Sequence, residues 1–159
     1  MKPFTRLISL LLLATYSLAS HAELRPFTAD SLQKIESERQ GKAFILGFWS
    51  ASCTHCPAEL RALGELAKRH PKVDIVLVAA DTPDESAELQ QLAQDYGLAR
   101  QAQWVFADAQ PERLRRAIDR RWYGELPRTY LYNRQGQRQA YSGLIPAATL
   151  ESWVSNNVK

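Results

Sequence analysis

Residues 43–49 read AFILGFW, an apolar run with no charged side chain. A run this short and continuous reads as a strand covered on both faces. Asp74 to Ala80 (DIVLVAA) reads the same way. Between them, Pro57 to His70 has helical periodicity: Leu60, Leu63, Leu66 and Ala67 share one stripe, and Pro71 stops it. Buried strands alternating with amphipathic helices require a mostly parallel central sheet with helices on both faces. No repeat recurs at a period of about 20–50 residues, which argues against a solenoid.

The remaining chain extends the pattern. Asp30 to Arg39 reads as a short helix with Leu32 and Ile35 on one face. Asp84 to Tyr96 reads as a helix with Leu89, Leu92, Ala93 and Tyr96 inward and Gly97 as its C-terminal cap. Gln103 to Ala107 is a short strand. Pro111 to Tyr123 is a helix with Leu114, Ile118 and Trp122 apolar, ended by Gly124. Arg128 to Asn133 and Arg138 to Ser142 alternate like strands and turn through Gly136, so they form a hairpin. Ala147 to Asn157 closes the chain as a helix with Leu150, Trp153 and Val154 inward. The hairpin adds antiparallel strands, so the expected α/β sheet is mixed. No linker divides it, and 159 residues fit one domain.

The N-terminus reads as an export signal. Lys2 and Arg6 form a positive segment, Leu7 to Ala14 (LISLLLLA) an apolar one, and Ser20-His21-Ala22 a small-residue cleavage pattern. Residues 1–22 are therefore a signal peptide and 23–159 the mature domain. The alternative is an uncut anchor tethering the domain to a membrane. Either delivers the domain outside the cytoplasm, to the periplasm, where disulfides persist. The formal charge of +3 owes two units to this leader; the rest carries 18 basic and 17 acidic side chains. With no basic block, nothing electrostatic points to nucleic acid.

The chemistry lies at Cys53-Thr54-His55-Cys56, directly after a buried strand and at the start of a helix. At a first helical turn, residues three apart come close enough for a disulfide. The helix N-terminus offers unpaired N–H groups and a positive dipole end, which stabilise a thiolate. Cys53 is expected to be the exposed, attacking sulfur and Cys56 the buried, resolving one. A protonated His55 would favour the Cys53 thiolate; the plainer reading is an exposed histidine of little influence. An inert stabilising disulfide or half of a zinc site are the other readings of the pair. The loop is too short for much stabilisation, and two cysteines with three histidines make a poor zinc set. Neither a cofactor nor a metal is required. No isolated cysteine precedes a second elsewhere, which weighs against a peroxidase.

Phe48-Trp49-Ser50-Ala51-Ser52-Cys53-Thr54-His55-Cys56 resembles the active site of the thioredoxin family, F-W-A-x-W-C-x-x-C. The region from about Ala43 to Trp153 resembles its exported TlpA/ResA-like branch. Glu59 matches a glutamate those proteins carry three residues after the second cysteine. Asp81 to Val105 looks like their inserted helix and strand. Leu126-Pro127-Arg128-Thr129-Tyr130-Leu131 resembles their V-P-T-T-F-L segment, which implies that Pro127 is cis and faces the cysteines; without the resemblance it would be a trans, strand-initiating proline. Trp49 is implied to pack beside the disulfide. Ser52 departs from the usual aromatic, and Gly47 stands where thioredoxin has a buried aspartate. Glu59 is a candidate substitute, acting through water on the Cys56 proton; the alternative is a solvated first-turn glutamate.

The resemblance implies a thioredoxin-like fold and an exported thiol–disulfide oxidoreductase that reduces disulfides in partner proteins. Its substrates would be exported cysteine proteins, such as apocytochrome c or copper-site proteins, and a membrane thiol donor would re-reduce it. His55 is reminiscent of DsbA and protein disulfide isomerase, so the reverse flow, oxidation or isomerisation, is the alternative. A copper-binding chaperone is a third reading, weakened because no histidine follows His70. Trp104, Trp122 and Trp153 read as packing aromatics. Arg113, Arg115, Arg116, Arg120 and Arg121 form a basic stretch, either a solvated face or a docking patch.

Overall fold

The computed structural model describes residues 22–158; the expected signal segment up to His21 lies outside the described residues. The strands are β1 (Leu24–Phe27), β2 (Phe44–Trp49), β3 (Asp74–Ala79), β4 (Ala102–Phe106), β5 (Arg128–Tyr132) and β6 (Arg138–Ser142). They form one sheet in the order β1-β4-β3-β2-β5-β6. The first four are parallel, and β5 and β6 join antiparallel. The helices are α1 (Ser31–Glu38), α2 (Cys56–Arg69), α3 (Ser86–Asp95), α4 (Pro111–Ile118) and α5 (Ala147–Asn157).

Strand alternation divides the core in two. Ile45 and Trp49 of β2 point to one face, with Ile75 and Leu77 of β3, and are covered by Leu60, Leu63 and Leu66 of α2, Leu89 of α3 and Leu150 of α5. Phe44, Leu46 and Phe48 point to the other, with Val76 and Val78, and are covered by Ile35 of α1 and Leu114 and Ile118 of α4. Every residue of β2 is buried. This is the mixed sheet with helices on both faces that the apolar runs demand. The inserted α3 and β4 are present.

Two elements differ from the sequence pattern. β1 was not expected: LRPF contains a proline, and only Phe27 is fully buried. It forms by backbone pairing with β4, with Pro26 opposite Val105 on the sheet edge, where a missing N–H is tolerated. The helix expected over Pro111 to Tyr123 stops at Ile118. Asp119 is extended, and its carboxylate is taken by the Arg128 guanidinium at 3.0 Å and the Arg121 N–H at 2.9 Å. Trp122 keeps its apolar place because a turn, closed by its N–H on the Asp119 carbonyl at 3.0 Å, folds it back. It packs 5.0 Å from Phe48. The opposite edge strand, β6, is largely exposed and polar.

Helix α2 also meets the end of α3 without room for a methyl group. A Cβ on Gly64 would lie 1.9 Å from the Tyr96 carbonyl oxygen. Gly64→Ala should therefore destabilise the protein by about 1–3 kcal/mol, the usual cost of overpacking. Thermal unfolding checks this; an unchanged Tm would mean that the two backbones are not in contact.

Candidate active site

β2 ends at Trp49, and Ser50 to His55 turn the chain into α2, whose first residue is Cys56. Cys53 and Cys56 form a disulfide with their Cα atoms 5.4 Å apart. The turn is closed by the Cys53 N–H on the Ser50 carbonyl at 3.2 Å. The Cys56 N–H is directed at Cys53 Sγ, 3.1 Å away. Cys56 is fully buried (0% exposed), whereas Cys53 is half-buried at the edge of the same apolar cluster. The asymmetry expected from the motif is present. The sulfur that solvent can reach also receives a backbone donor from the start of the helix, an arrangement that favours its anionic form.

Trp49 is buried in the cluster that contains Cys56. His55 occupies the N-cap position of α2, exposed, and its side chain makes no capping hydrogen bond. The peptide bond between Leu126 and Pro127 is cis. Phe48 pairs with Arg128, so continuing the antiparallel register sets Pro127 beside Trp49, at the end of the sheet where the cysteine turn begins.

Glu59 is not the solvated first-turn glutamate. It is 2% exposed, and both carboxylate oxygens are occupied: Thr129 Oγ1 donates to one at 3.2 Å and the Ile145 N–H to the other at 3.0 Å. Burial pushes its carboxyl above the ordinary range, against the pull of those two donors. A Cβ on Gly47 would meet Leu63, Leu77 and, at 4.0 Å, the same Thr129 hydroxyl. The buried carboxyl group thus comes from the helix rather than from the strand beneath it.

Asp81, just beyond β3, was expected only as the start of the inserted segment. Its carboxylate accepts Ser50 Oγ at 2.8 Å and the Ala51 N–H at 3.1 Å. Ser50 Oγ in turn lies 2.9 Å from Ser52 Oγ and accepts the Ser52 N–H at 3.2 Å. Asp81 therefore pins the turn that carries Cys53. Burial raises its carboxyl as well, opposed by the Ser50 and Ala51 donors. The only sequence hint was a serine in the turn facing an aspartate at the end of the neighbouring strand.

Residues 21–138 match the AhpC/TSA family. The chain belongs to that family. The AhpC/TSA match spans the whole site from β2 through Pro127, and the fold is thioredoxin-like, as expected. The fold is similar to that of a secreted Mycobacterium tuberculosis disulfide oxidoreductase described as homologous to E. coli DsbE, at 21% identity, TM-score 0.59, covering 76% of this chain and 85% of that one. It is similar to a thioredoxin-family thiol:disulfide interchange protein from Chlorobium tepidum, at 18% identity, TM-score 0.60, covering 78% and 85%. It also resembles a thio-disulfide isomerase from Thermus thermophilus, at 20% identity, TM-score 0.57, covering 72% and 78%. No curated protein matches the chain. These neighbours are thiol–disulfide oxidoreductases by description, and this AhpC/TSA chain carries a bonded CxxC pair at the strand–helix junction of their fold. Among the described residues, no three of His, Cys, Asp and Glu gather as metal ligands, and no helix is long and apolar enough to cross a membrane.

The raised Glu59 carboxyl has a sign that can be measured. A carboxyl whose pKa rises on folding contributes stability that is full below its unfolded value, about 4.3, and lost as pH climbs through the folded one. Wild type should lose stability relative to Glu59→Gln across that window, since Asp81 is common to both proteins and cancels. Denaturant titrations at a series of pH values check it; parallel curves for the two proteins would place Glu59 in water.

Proposed function

We propose that the protein is an exported thiol–disulfide oxidoreductase that reduces disulfides in partner proteins. The observation that carries this reading is the unequal pair: Cys53 reachable and facing the Cys56 N–H at 3.1 Å, Cys56 buried behind it. The Cys53 thiolate attacks one sulfur of a partner disulfide. A Cys53–partner disulfide forms, and the partner's other sulfur leaves as a thiolate that takes up a proton. Cys56 then loses its proton and attacks Cys53 Sγ. The partner departs with both sulfurs reduced, and the Cys53–Cys56 disulfide holds the two oxidising equivalents. A membrane thiol donor returns the pair to the dithiol.

Glu59 is the proton acceptor proposed for Cys56, through water. The two residues are three apart on α2 and therefore share a face, and both are buried. A raised carboxyl is better matched to a thiol proton than an ordinary one. Pro127 borders the cysteine turn and would contact the partner's extended chain, and Trp49 backs the disulfide. A cationic His55, exposed two residues from Cys53, would stabilise the thiolate and with it the reduced pair, which makes the disulfide a stronger oxidant. No cofactor beyond the disulfide is involved. Export rests on the N-terminal segment and accords with the secreted Mycobacterium neighbour. Exported cysteine proteins, including apocytochrome c and copper-site proteins, are the proposed substrates.

Two measurements test this. Cys56→Ser should trap partner proteins on Cys53 as mixed disulfides, visible on non-reducing gels and absent in Cys53→Ser. The reduction potential, followed by Trp49 fluorescence in dithiothreitol and glutathione buffers, should lie near that of thioredoxin, about −270 mV. A value near about −120 mV would reverse the flow and make His55 the residue to replace first.

A further inference from the structure

The arginines of α4 and of the loop after it are not spread evenly around that segment. Arg115 turns inward: its guanidinium lies 3.3–3.4 Å from where a Gly124 Cβ would be, and it pairs with Glu112 at 3.7 Å. Asp119 is engaged by Arg128 at 3.0 Å and by Arg121 at 3.6 Å. The third acid of this stretch, Glu125, accepts the Tyr123 N–H at 3.2 Å and Ser142 Oγ at 2.8 Å and pairs with Arg128 at 3.4 Å, so all three acids have partners other than Arg113, Arg116 and Arg120. Arg113, Arg116 and Arg120 are exposed and have no carboxylate partner among the described residues. Arg116 and Arg120 line a cleft of 480 Å³ together with Trp122 and Tyr123. Tyr123 is 91% exposed, the most exposed large hydrophobic side chain described.

This surface is fixed relative to the cysteine turn. The buried Arg128 directly follows Pro127 and bonds to Asp119, to Glu125 at 3.4 Å and to Ser142 Oγ at 2.7 Å. Trp122 Nε1 donates to the Glu125 carbonyl at 2.9 Å. Residues 119–126 are therefore clamped onto β5. Tyr123 is four residues from Pro127, at most about 14 Å along the chain. A chain held on the arginine face would be led toward Pro127 and the cysteines.

We infer that the Arg113–Arg116–Arg120 face, with Tyr123 as its aromatic anchor, is the docking surface for an acidic segment of the partner protein, placing the partner's disulfide at Cys53. Arginine and tyrosine are the residues that interfaces favour, and unpaired exposed cations attract carboxylates while the buried Trp122 gives the cleft an apolar floor. Charges at such a rim act chiefly on the association rate. The inference rests on the oxidoreductase reading, because it supposes that the segment belongs to a disulfide-bearing partner.

The test uses two synthetic peptides with the same internal disulfide, one flanked by Asp and Glu and one by Ser and Gln. Stopped-flow Trp fluorescence follows oxidation of the reduced protein by each. The acidic peptide should react on the order of tenfold faster at low ionic strength, and the advantage should shrink in about 0.5 M salt as the charges are screened. Arg116→Glu with Arg120→Glu should bring the ratio of the two rates to one or below. Misfolding would lower both rates together and leave the ratio. A fluorescent acidic peptide without cysteine gives a second readout, because its anisotropy should report salt-sensitive binding to wild type and none to the double variant. Equal rates for the two peptides in wild type, or a ratio that ignores the double substitution while the neutral peptide still reacts at the wild-type rate, would overturn the docking surface. So would arginine-dependent sedimentation with phosphatidylglycerol vesicles in the absence of acidic-peptide binding, which would make this a lipid-facing patch. If neither peptide oxidises the protein but the cysteine-free acidic peptide still binds, the oxidoreductase reading fails and the surface stands.

Discussion

Strand β2 has no side that faces water, and the site is organised around the point where it ends. Its odd and even residues belong to separate cores, so its register against β3 and β5 cannot slip by one without turning both cores inside out. Phe48 is the last residue paired on both sides, with Val78 and Arg128, and Trp49 is paired with Ala79 of β3 alone. Beyond Trp49 the chain leaves the end of the sheet, and the turn delivers Cys53 and then the first residue of α2. The same register sets the start of β5, and so Pro127, at that end of the sheet. The position of the cysteines is thus a consequence of core packing more than of the motif itself.

Three buried ionisable groups stand around this end: Glu59, Asp81 and Arg128. Glu59 and Asp81 are hydrogen-bonded to groups 30 or more residues away, and Arg128 to groups within 14. Glu59 ties α2 to β5 and to the segment before α5, Asp81 ties the end of β3 to the cysteine turn, and Arg128 ties β5 to the loop that precedes Pro127. An apolar core of the same volume would be less costly to desolvate. Polar ties of fixed geometry define which backbone segments meet, which apolar contacts do loosely.

The fold was readable because its strongest signals are local. Continuous apolar runs gave β2 and β3, helical stripes gave α2, α3 and α5, and Gly136 marked the β5–β6 turn. β1 escaped because an edge strand with a proline buries one side chain and has no pattern to show. The helical period continues to Trp122, but α4 ends at Ile118 because Asp119, held by Arg128, leaves the helix. The cysteine pair and its asymmetry were legible from their position after a buried strand. The surroundings were not. Whether Glu59 faces water depends on Thr129 and Ile145, which lie 70 and 86 residues away, and the role of Asp81 depends on a turn 30 residues upstream.

The two outer strands have a bearing on self-association. An open sheet exposes a row of unpaired backbone groups on each side, and these are templates for joining another chain. Here one side carries Pro26, which has no N–H to offer, in a strand of four residues. The other carries β6, short and polar, with Arg138 bent back to Tyr132 and to the Ile118 carbonyl. Neither side invites a new strand. The molecule can therefore meet other polypeptide chains without being incorporated into a growing β-aggregate.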